Sequence, residues 1–223
     1  MRKVLLTIML IAVSSLSFGC GKKYTDDTPN ATETQPQTEE VTELITYEPL
    51  ATVRDRDIEE SEKFDYEIYD GKVIITKYKG TETDVVIPDE VEGVPVGEIG
   101  FYCFEANWNL VSVTLPETVT VIGENAFMSC NALAQINIPS GLTNIERGAF
   151  AGCASLTEMT IPSAVTSVHE EAFTMCDGLV SLTIENPDLA YENWGLEELP
   201  NVVIHAPEGS AVSQWASAMG KLG

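Results

Sequence analysis

The stretch IGENAFMSCNALAQINIP, residues 122–139, recurs along this chain with a period of 23 residues. Four residue types keep that period in aligned columns, which are Phe104, Phe127, Phe150 and Phe173; Leu110, Leu133, Leu156 and Leu179; Cys130, Cys153 and Cys176; and Pro116, Pro139 and Pro162. A fixed period of about 20 to 29 residues rich in Leu and Ile is typical of a leucine-rich-repeat solenoid, whose coils bury their apolar faces only against one another. The sequence therefore predicts a stack of repeats.

Each repeat unit combines two strands with a turn between them. In one unit, Val119 and Ile122 mark a short strand and Phe127 lies in a helical turn. Ile136 and Ile138 then alternate with polar residues, as in a second strand. We expect a β-rich leucine-rich-repeat solenoid of the α/β type, with short-helix coils, a 23-residue period and about four to five coils.

Both ends of the repeat domain carry sequences typical of caps. Residues 66–76 are two strand-like runs joined by Asp70-Gly71, a pair that favours a type I′ hairpin turn. Near the C-terminus Ser210 is a good helix N-cap and Gly220 suits the helix end. The apolar residues between them have helical spacing, and they are Val212, Trp215, Ala216 and Met219. We expect an N-terminal β-hairpin cap and a C-terminal helical cap, with Tyr191 and Trp194 in the core of the second.

The motif Ile-Gly-x-x-Ala-Phe-x-x-Cys-x-x-Leu-x-x-Ile-x-Ile-Pro, intact at residues 122–139, resembles the repeats of BspA-type leucine-rich-repeat proteins of bacterial surfaces. The resemblance covers residues 64–223 and implies adhesion to an extracellular or host-matrix protein. Four positions depart from the family pattern: Asn107 replaces the column cysteine, Cys103 replaces an alanine, and Glu146 and His169 replace glycines. These departures affect the expected local geometry and leave the expected fold unchanged.

The N-terminus has the layout of a signal peptide over residues 1–19. Arg2 and Lys3 precede an apolar run that is too short to span a bilayer. The sequence Leu-Ser-Phe-Gly before Cys20 resembles the lipobox of bacterial lipoproteins, although its leucine lies one place early. That resemblance implies a lipidated Cys20 and a protein anchored to the outer face of a bacterial membrane. Cleavage by ordinary signal peptidase, followed by plain secretion, is the alternative.

Residues 20–63 are predicted to be a disordered acidic tether between the lipidated cysteine and the repeat domain. This segment is rich in Thr, Glu, Asp and Pro, and it has too few large apolar residues to form a core. Without Arg2 and Lys3 the chain has 10 basic and 35 acidic residues, a net charge of 10 − 35 = −25. Such a chain repels polyanions, so we expect no nucleic-acid partner.

The cysteine ladder and the two histidines raise the possibility of metal binding or catalysis. Aligned side chains on stacked strands about 4.8 Å apart do not converge as a disulfide or a zinc site requires. We therefore expect buried free thiols, with no metal and no cofactor. His169 and His205 lack a catalytic motif around them, so we predict that the protein is not an enzyme.

The exposed columns of the second strand are the candidate binding surface. Alternation along the strand directs one set of polar side chains outward, and these are Ser112, Thr114, Gln135, Asn137, Glu158, Thr160, Ser181 and Thr183. A further column on the first strand contains Thr120, Thr143 and Thr166. Rows of small polar residues suit hydrogen bonding to an extended partner, and they equally suit contact with water.

Trp108 is the second candidate, because later coils have Asn131, Ala154 and Asp177 at its position. The repeat does not require an aromatic residue there, and Phe101 and Tyr102 are close in sequence. Large exposed aromatic residues are typical binding anchors. The alternative is that they pack beneath the five-residue insertion in that coil. We expect a surface-anchored protein-binding module; the alternative is a lipoprotein that binds a small ligand such as a glycan near Trp108.

Overall fold

The computed structural model describes residues 62–223, which form thirteen strands and one helix. In chain order they are β1 (Phe64–Tyr69), β2 (Lys72–Tyr78), β3 (Asp84–Val86), β4 (Glu90–Val91), β5 (Val94–Ile99), β6 (Ser112–Thr114), β7 (Val121–Ile122), β8 (Gln135–Ile136), β9 (Asn144–Ile145), β10 (Glu158–Ile161), β11 (Ser167–Val168), β12 (Ser181–Ile184), β13 (Val203–His205) and α1 (Ala211–Ala218). The predicted signal peptide, the lipidated Cys20 and nearly all of the tether lie outside the described residues.

The strands stack into a β-solenoid of six coils with the predicted period. Five coils each contain two strands, one on each strand face: β2 and β3, β5 and β6, β7 and β8, β9 and β10, and β11 and β12. The sixth coil ends in β13. The expectation of four to five coils was too low, because the first and last coils lack the phenylalanine motif and become recognisable only when their strands are paired.

Two faces of the solenoid are parallel ladders. On the first-strand face β2, β5, β7, β9 and β11 follow one another, and β1 and β4 pair antiparallel to β2 and β5. On the second-strand face the ladder consists of two separate sheets, β3-β6-β8 and β10-β12-β13. Residues one period apart lie opposite each other, as with Val121 and Asn144. Each strand therefore repeats the position of its predecessor one rung further along.

The third side of each coil consists of turns, where the sequence predicted a short helix. Asn125 and Ser129, two residues to either side of Phe127, have left-handed backbone conformations with φ of 55° and 60°. Such residues interrupt a right-handed helix. They also direct alternate amides out of the coil, so that the Phe127 N–H donates to the Ala149 carbonyl of the next coil at 2.8 Å. The turn side is thereby hydrogen-bonded between coils, like the two strand faces.

A stack of aromatic rings forms the centre of the core. The Phe127 ring lies 5.0 Å from that of Phe104 and 5.6 Å from that of Phe150, within 14° and 2° of parallel. Tyr78 extends the stack in the first coil, with its ring 5.1 Å from that of Phe104. In the sixth coil Trp194 is fully buried, and its main-chain carbonyl accepts the Phe173 N–H at 2.9 Å. This is the last hydrogen bond of the series that joins the phenylalanine turns from coil to coil. Each coil thus contributes one buried aromatic residue to the core: Tyr78 at the end of β2, a phenylalanine in each of the next four coils, and Trp194 in the sixth.

Both predicted caps are present. Asp70 and Gly71 have positive φ of 50° and 72°, which allows the tight hairpin between β1 and β2. At the other end the Ser210 hydroxyl accepts the amide of Ser213 at 3.1 Å and begins α1. The ring of Trp215 in α1 stacks on that of Tyr191 with centroids 3.8 Å apart. Of the four apolar residues at helical spacing, Met219 lies just beyond the end of α1, at the C-cap, and is 45% exposed.

Candidate functional site

The polar residues predicted to face outward from the second strand lie on one broad groove. The groove encloses about 870 Å³ and runs across β6, β8, β10 and β12. Its lining includes all eight of them, which are Ser112, Thr114, Gln135, Asn137, Glu158, Thr160, Ser181 and Thr183. Glu185 is a second carboxylate at this surface, and no Lys, Arg or His lines it. The strand register therefore brings residues that are far apart in sequence onto one acidic surface.

Two of these candidates already have partners within the protein. The Ser112 hydroxyl donates to Asp84 Oδ1 at 2.5 Å, and this hydrogen bond lowers the pKa of the Asp84 carboxyl. Asn137 uses its whole amide, because its Oδ1 accepts the Leu115 N–H at 2.7 Å and its Nδ2 donates to the Leu115 carbonyl at 2.8 Å. These two side chains stabilise the stacking of the coils.

The other outward side chains are available to a ligand. Within residues 62–223, Gln135, Glu158 and Thr160 are exposed and have no side-chain hydrogen bond or ion pair. Thr114 is likewise exposed and unpartnered in that range. A set of unpartnered donors and acceptors at the spacing of stacked strands, about 4.8 Å, can match the repeat of another extended chain.

The groove columns continue past the residues that the sequence indicated. Asp84 and Val86 in β3 lie opposite Ser112 and Thr114, so they extend the columns at the N-terminal end. His205 in β13 lies opposite Thr183 and extends a column at the other end. Sequence reasoning missed these positions because the first and last coils lack the Phe-x-x-Cys motif. The run of β-branched residues 85–87 before Pro88, which is typical of a strand, was the available signal.

The threonine column of the first strand has a structural role. Thr143 Oγ1 donates to the Thr120 carbonyl at 2.9 Å, and Thr120 Oγ1 donates to the Gly97 carbonyl at 3.3 Å. Thr166 continues the series with a longer bond of 3.5 Å to the carbonyl of Thr143. Each hydroxyl thus bonds to the main chain of the preceding coil.

The aromatic candidates are only partly brought together. Phe101 and Tyr102 meet edge to face with ring centroids 4.0 Å apart, and both line a pocket of about 620 Å³ beside β2. Trp108 is 68% exposed, so it does not pack beneath the insertion, and it is not part of the pocket lining. Phe101 is 59% exposed and offers its ring to the solvent at the pocket edge.

Comparison with known proteins identifies the family. A family model for the BspA type leucine rich repeat region matches residues 97–194 in six copies. The crystal structure of a T. pallidum leucine rich repeat protein is 30% identical, with 65% of this chain and 69% of that chain covered and a TM-score of 0.62. This chain belongs to the BspA-type leucine-rich repeat family.

Two further solved leucine-rich repeat structures have a similar fold. A leucine rich cell surface protein from Faecalibacterium prausnitzii is 32% identical, with a TM-score of 0.60 over 66% of this chain and 42% of that chain. A leucine-rich repeat protein from Bacteroides capillosus is 32% identical, with a TM-score of 0.50 over 55% of this chain and 94% of that chain. No curated protein matches the chain. Solenoids of this kind are scaffolds that present extended surfaces for binding.

The cysteine column of this BspA-type domain is a ladder of buried free thiols, as predicted. Cys130 Sγ donates to the Phe104 carbonyl at 3.1 Å, and Cys153 and Cys176 make the same contact one and two coils further on, at 3.3 and 3.1 Å. Burial raises the pKa of Cys130 and of Cys176 to about 12. In the part of the chain that the structure describes, no group of three or more His, Cys, Asp or Glu side chains could hold a metal ion.

His169 and Glu146, which occupy the glycine column of the BspA pattern, contact each other. His169 Nε2 lies 3.3 Å from Glu146 Oε2 and 3.1 Å from Ser167 Oγ. A Ser-His-acid triad uses both ring nitrogens, one for the serine and one for the carboxylate. Here both partners contact the same nitrogen, so this group does not have the geometry of a triad.

Over residues 62–223, no helix has the length and apolar character needed to cross a bilayer.

Proposed function

We propose that this BspA-type domain is a surface-displayed protein-binding module and that the groove of the second-strand face is its binding site. The observation that carries the proposal is the row of exposed, unpartnered side chains at Gln135, Glu158 and Thr160. Side chains in the equivalent columns of the first strand are engaged by the preceding coil. The second-strand face therefore has the unused hydrogen-bonding capacity that a partner needs.

The shape and charge of the face favour a protein partner. The groove extends across four strands and is wide and shallow, which suits a polypeptide better than a small molecule. Glu158 and Glu185 make it acidic, and the whole chain has a formal net charge of −23. We therefore expect an extracellular or host-matrix protein with a neutral or basic contact surface, and no nucleic-acid partner.

Display at the cell surface is part of the proposal. It is supported by the signal-peptide layout, by the lipobox-like sequence before Cys20, and by the similarity to a Faecalibacterium prausnitzii protein described as a cell surface protein. Lipidation of Cys20 would hold the domain at the outer face of a bacterial membrane. Metabolic labelling with a fatty acid tests the anchor: we expect label in the native chain and none in Cys20→Ala, and an unlabelled native chain or a labelled variant would contradict it.

Binding of the full chain to an array of matrix proteins and glycans tests the main proposal. We expect saturable binding to a protein, reduced at least about tenfold by the triple change Gln135→Ala, Glu158→Ala and Thr160→Ala. A matched triple change of exposed residues outside the groove lining, Asn131→Ala, Thr166→Ala and Glu170→Ala, should leave binding within about twofold. Protein binding that survives the groove changes would refute the assignment of this face.

A small ligand at the aromatic pocket is the second candidate function. It is favoured by the exposed ring of Phe101, which lies at the edge of a 620 Å³ pocket next to Tyr102. Aromatic faces contact the apolar faces of sugars, so the pocket predicts glycan binding. In the same array, Phe101→Ala should then abolish binding. Trp108→Ala, outside the pocket lining, and Tyr69→Ala, an exposed aromatic on the hairpin, should not. We expect no catalysis, because the histidine nearest to a serine and a carboxylate lacks triad geometry.

A further inference from the structure

The ladder of the second-strand face is interrupted between β8 and β10. No backbone hydrogen bond joins these two strands, although both are fully within the described residues. The same two coils remain joined elsewhere: the Thr143 N–H donates to the Thr120 carbonyl at 2.8 Å, and the Phe127 N–H donates to the Ala149 carbonyl at 2.8 Å. This break in strand pairing, which we call the β8–β10 gap, is therefore confined to the candidate binding face.

One feature of the sequence distinguishes this junction from the one before it. The Asn137 amide bonds to the main chain of Leu115 and so joins coil three to coil two. The equivalent residue one coil later is Thr160, which has no amide and makes no such bond. Pro162 also lacks the N–H that Glu185 donates to the Ile161 carbonyl one coil later. A proline at this position does not interrupt the ladder by itself, because Pro139 occupies it in coil three and β6 still pairs with β8.

Main-chain groups on both sides of the gap lack strand partners. In a parallel strand the N–H and C=O of one residue point to the same neighbour, and successive residues alternate. The Thr157 carbonyl accepts the Ser181 N–H at 3.2 Å, so Thr157 faces β12 and its neighbour Glu158 faces the gap, as does Thr160. From the other side Ile136 faces the gap by the same alternation. Unpaired strand groups of this kind are a template for an added strand.

The gap also uncovers apolar surface. Ile136 and Ile138 are partly exposed. The residues equivalent to Ile136 in the neighbouring coils are buried, with Val113 2% and Met159 5% exposed. All four of these residues line the groove together with the unpartnered polar residues. The gap thus combines unpaired main chain, apolar side chains inside and carboxylates at the rim. An extended peptide with alternating side chains offers groups that complement all three.

We infer that the β8–β10 gap captures an extended, basic segment of the partner protein by strand pairing. The inference rests on the proposed function, because it specifies how the same face recognises its partner. The segment hydrogen-bonds through its main chain to Glu158 and Thr160, at the β10 edge of the gap. Its inward side chains cover Ile136 and Ile138, and its Lys or Arg side chains pair with Glu158 and Glu185. An acidic segment is rejected, since no cation lines the groove.

Hydrogen exchange of the free full chain is the first test. We expect the amides of Glu158 and Thr160 to exchange at least about tenfold faster than those of Ser181 and Thr183, which pair with β10 in the equivalent positions one coil later. Equal protection of the two pairs would show a closed ladder and would overturn the inference. This comparison needs no ligand, so it is independent of whether the partner has been found.

Selection from a random dodecapeptide library on the immobilised full chain is the second test. We expect enriched peptides with Lys or Arg alternating with β-branched residues, and we expect them to slow exchange of the Glu158 and Thr160 amides at least about tenfold. Glu158→Gln should weaken them about fivefold, and the exposed Glu170→Gln should not. N-methylation of alternate peptide amides removes main-chain donors and should abolish binding.

Three results would overturn strand capture. These are the failure of any peptide to be enriched, enriched peptides that leave the two amides unprotected, and tight binding by N-methylated peptides. The outcome is separable from that of the proposed function. If a matrix protein binds and loses affinity with the groove triple variant while those amides stay unprotected, the binding face stands and strand capture falls. If no protein binds through this face, both fall.

Discussion

The thiol ladder should make three buried cysteines almost inert toward thiol reagents while the domain is folded. Burial raises the pKa of Cys130 and Cys176 to about 12, from an ordinary value of 9.0, and that of Cys153 well above it. At pH 8 a thiol with the ordinary pKa is roughly one-tenth ionised, and one with a pKa near 12 roughly one part in ten thousand. The thiolate is the reactive form, so suppressed ionisation alone slows labelling about a thousandfold.

The assay compares labelling by a chromogenic disulfide reagent in buffer and in denaturant, without reductant. In buffer we expect negligible reaction over the minutes in which a free cysteine reacts fully. In denaturant, four thiols should react promptly from Cys103, Cys130, Cys153 and Cys176, in addition to Cys20 wherever it is not lipidated. Rapid labelling in buffer would refute the burial argument. Two or zero thiols in denaturant would show disulfides and refute the ladder of free thiols.

Gly123→Ala should destabilise the domain by about 1–3 kcal/mol, because the new methyl group lies 2.7 Å from a main-chain oxygen of the preceding coil. Gly141→Ala, whose methyl group meets nothing closer than 3.7 Å, should stabilise it by about 0.4–1 kcal/mol; urea unfolding checks both, and equal effects would contradict the clash. Thr143→Val should cost about 1 kcal/mol because it loses a hydrogen bond of 2.9 Å, whereas the unpartnered Thr160→Val should change stability little and weaken partner binding. The Lys63 and Tyr78 side chains hold the pKa of Glu82 at about 2. The stabilisation that Glu82 provides is present above the ordinary pKa of 4.5 and is lost as the pH falls from there towards 2. Glu82→Gln should therefore reduce the loss of stability between pH 4.5 and 2. An unchanged stability–pH curve would contradict a role for the contacts of Glu82 with Lys63 and Tyr78.

Much of the fold could be predicted because a solenoid repeats its local pattern. The columns that contain Phe127 and Cys130 have the same surroundings in each coil, so the burial of these residues could be predicted from their spacing alone. The caps were equally local, since Asp70-Gly71 and Ser210 carry turn and capping chemistry within a few residues. The outward direction of Gln135 and Glu158 also followed from strand alternation.

Properties that depend on contacts between coils could not be predicted. Tyr78 and Trp194 join the aromatic positions of the first and last coils although neither lies in a recognisable repeat. The pairing of Ser112 with Asp84 joins residues 28 apart, and the use of Asn137 by Leu115 joins residues 22 apart. Spacing showed these side chains as outward and polar, but only their neighbours decide which of them are already engaged.

The β8–β10 gap illustrates the same division. The residues that distinguish it, Asn137 and its counterpart Thr160, are visible in the sequence, and each is an ordinary polar residue at an outward position. Their difference matters only when the coils are stacked, because the Asn137 amide then lies within hydrogen-bonding distance of the Leu115 main chain. The period, the core columns and the caps thus arise from local chemistry along the chain. The free side chains, the extra coils and the gap arise from the stacking of coils, which places main-chain groups from separate repeats within hydrogen-bonding distance.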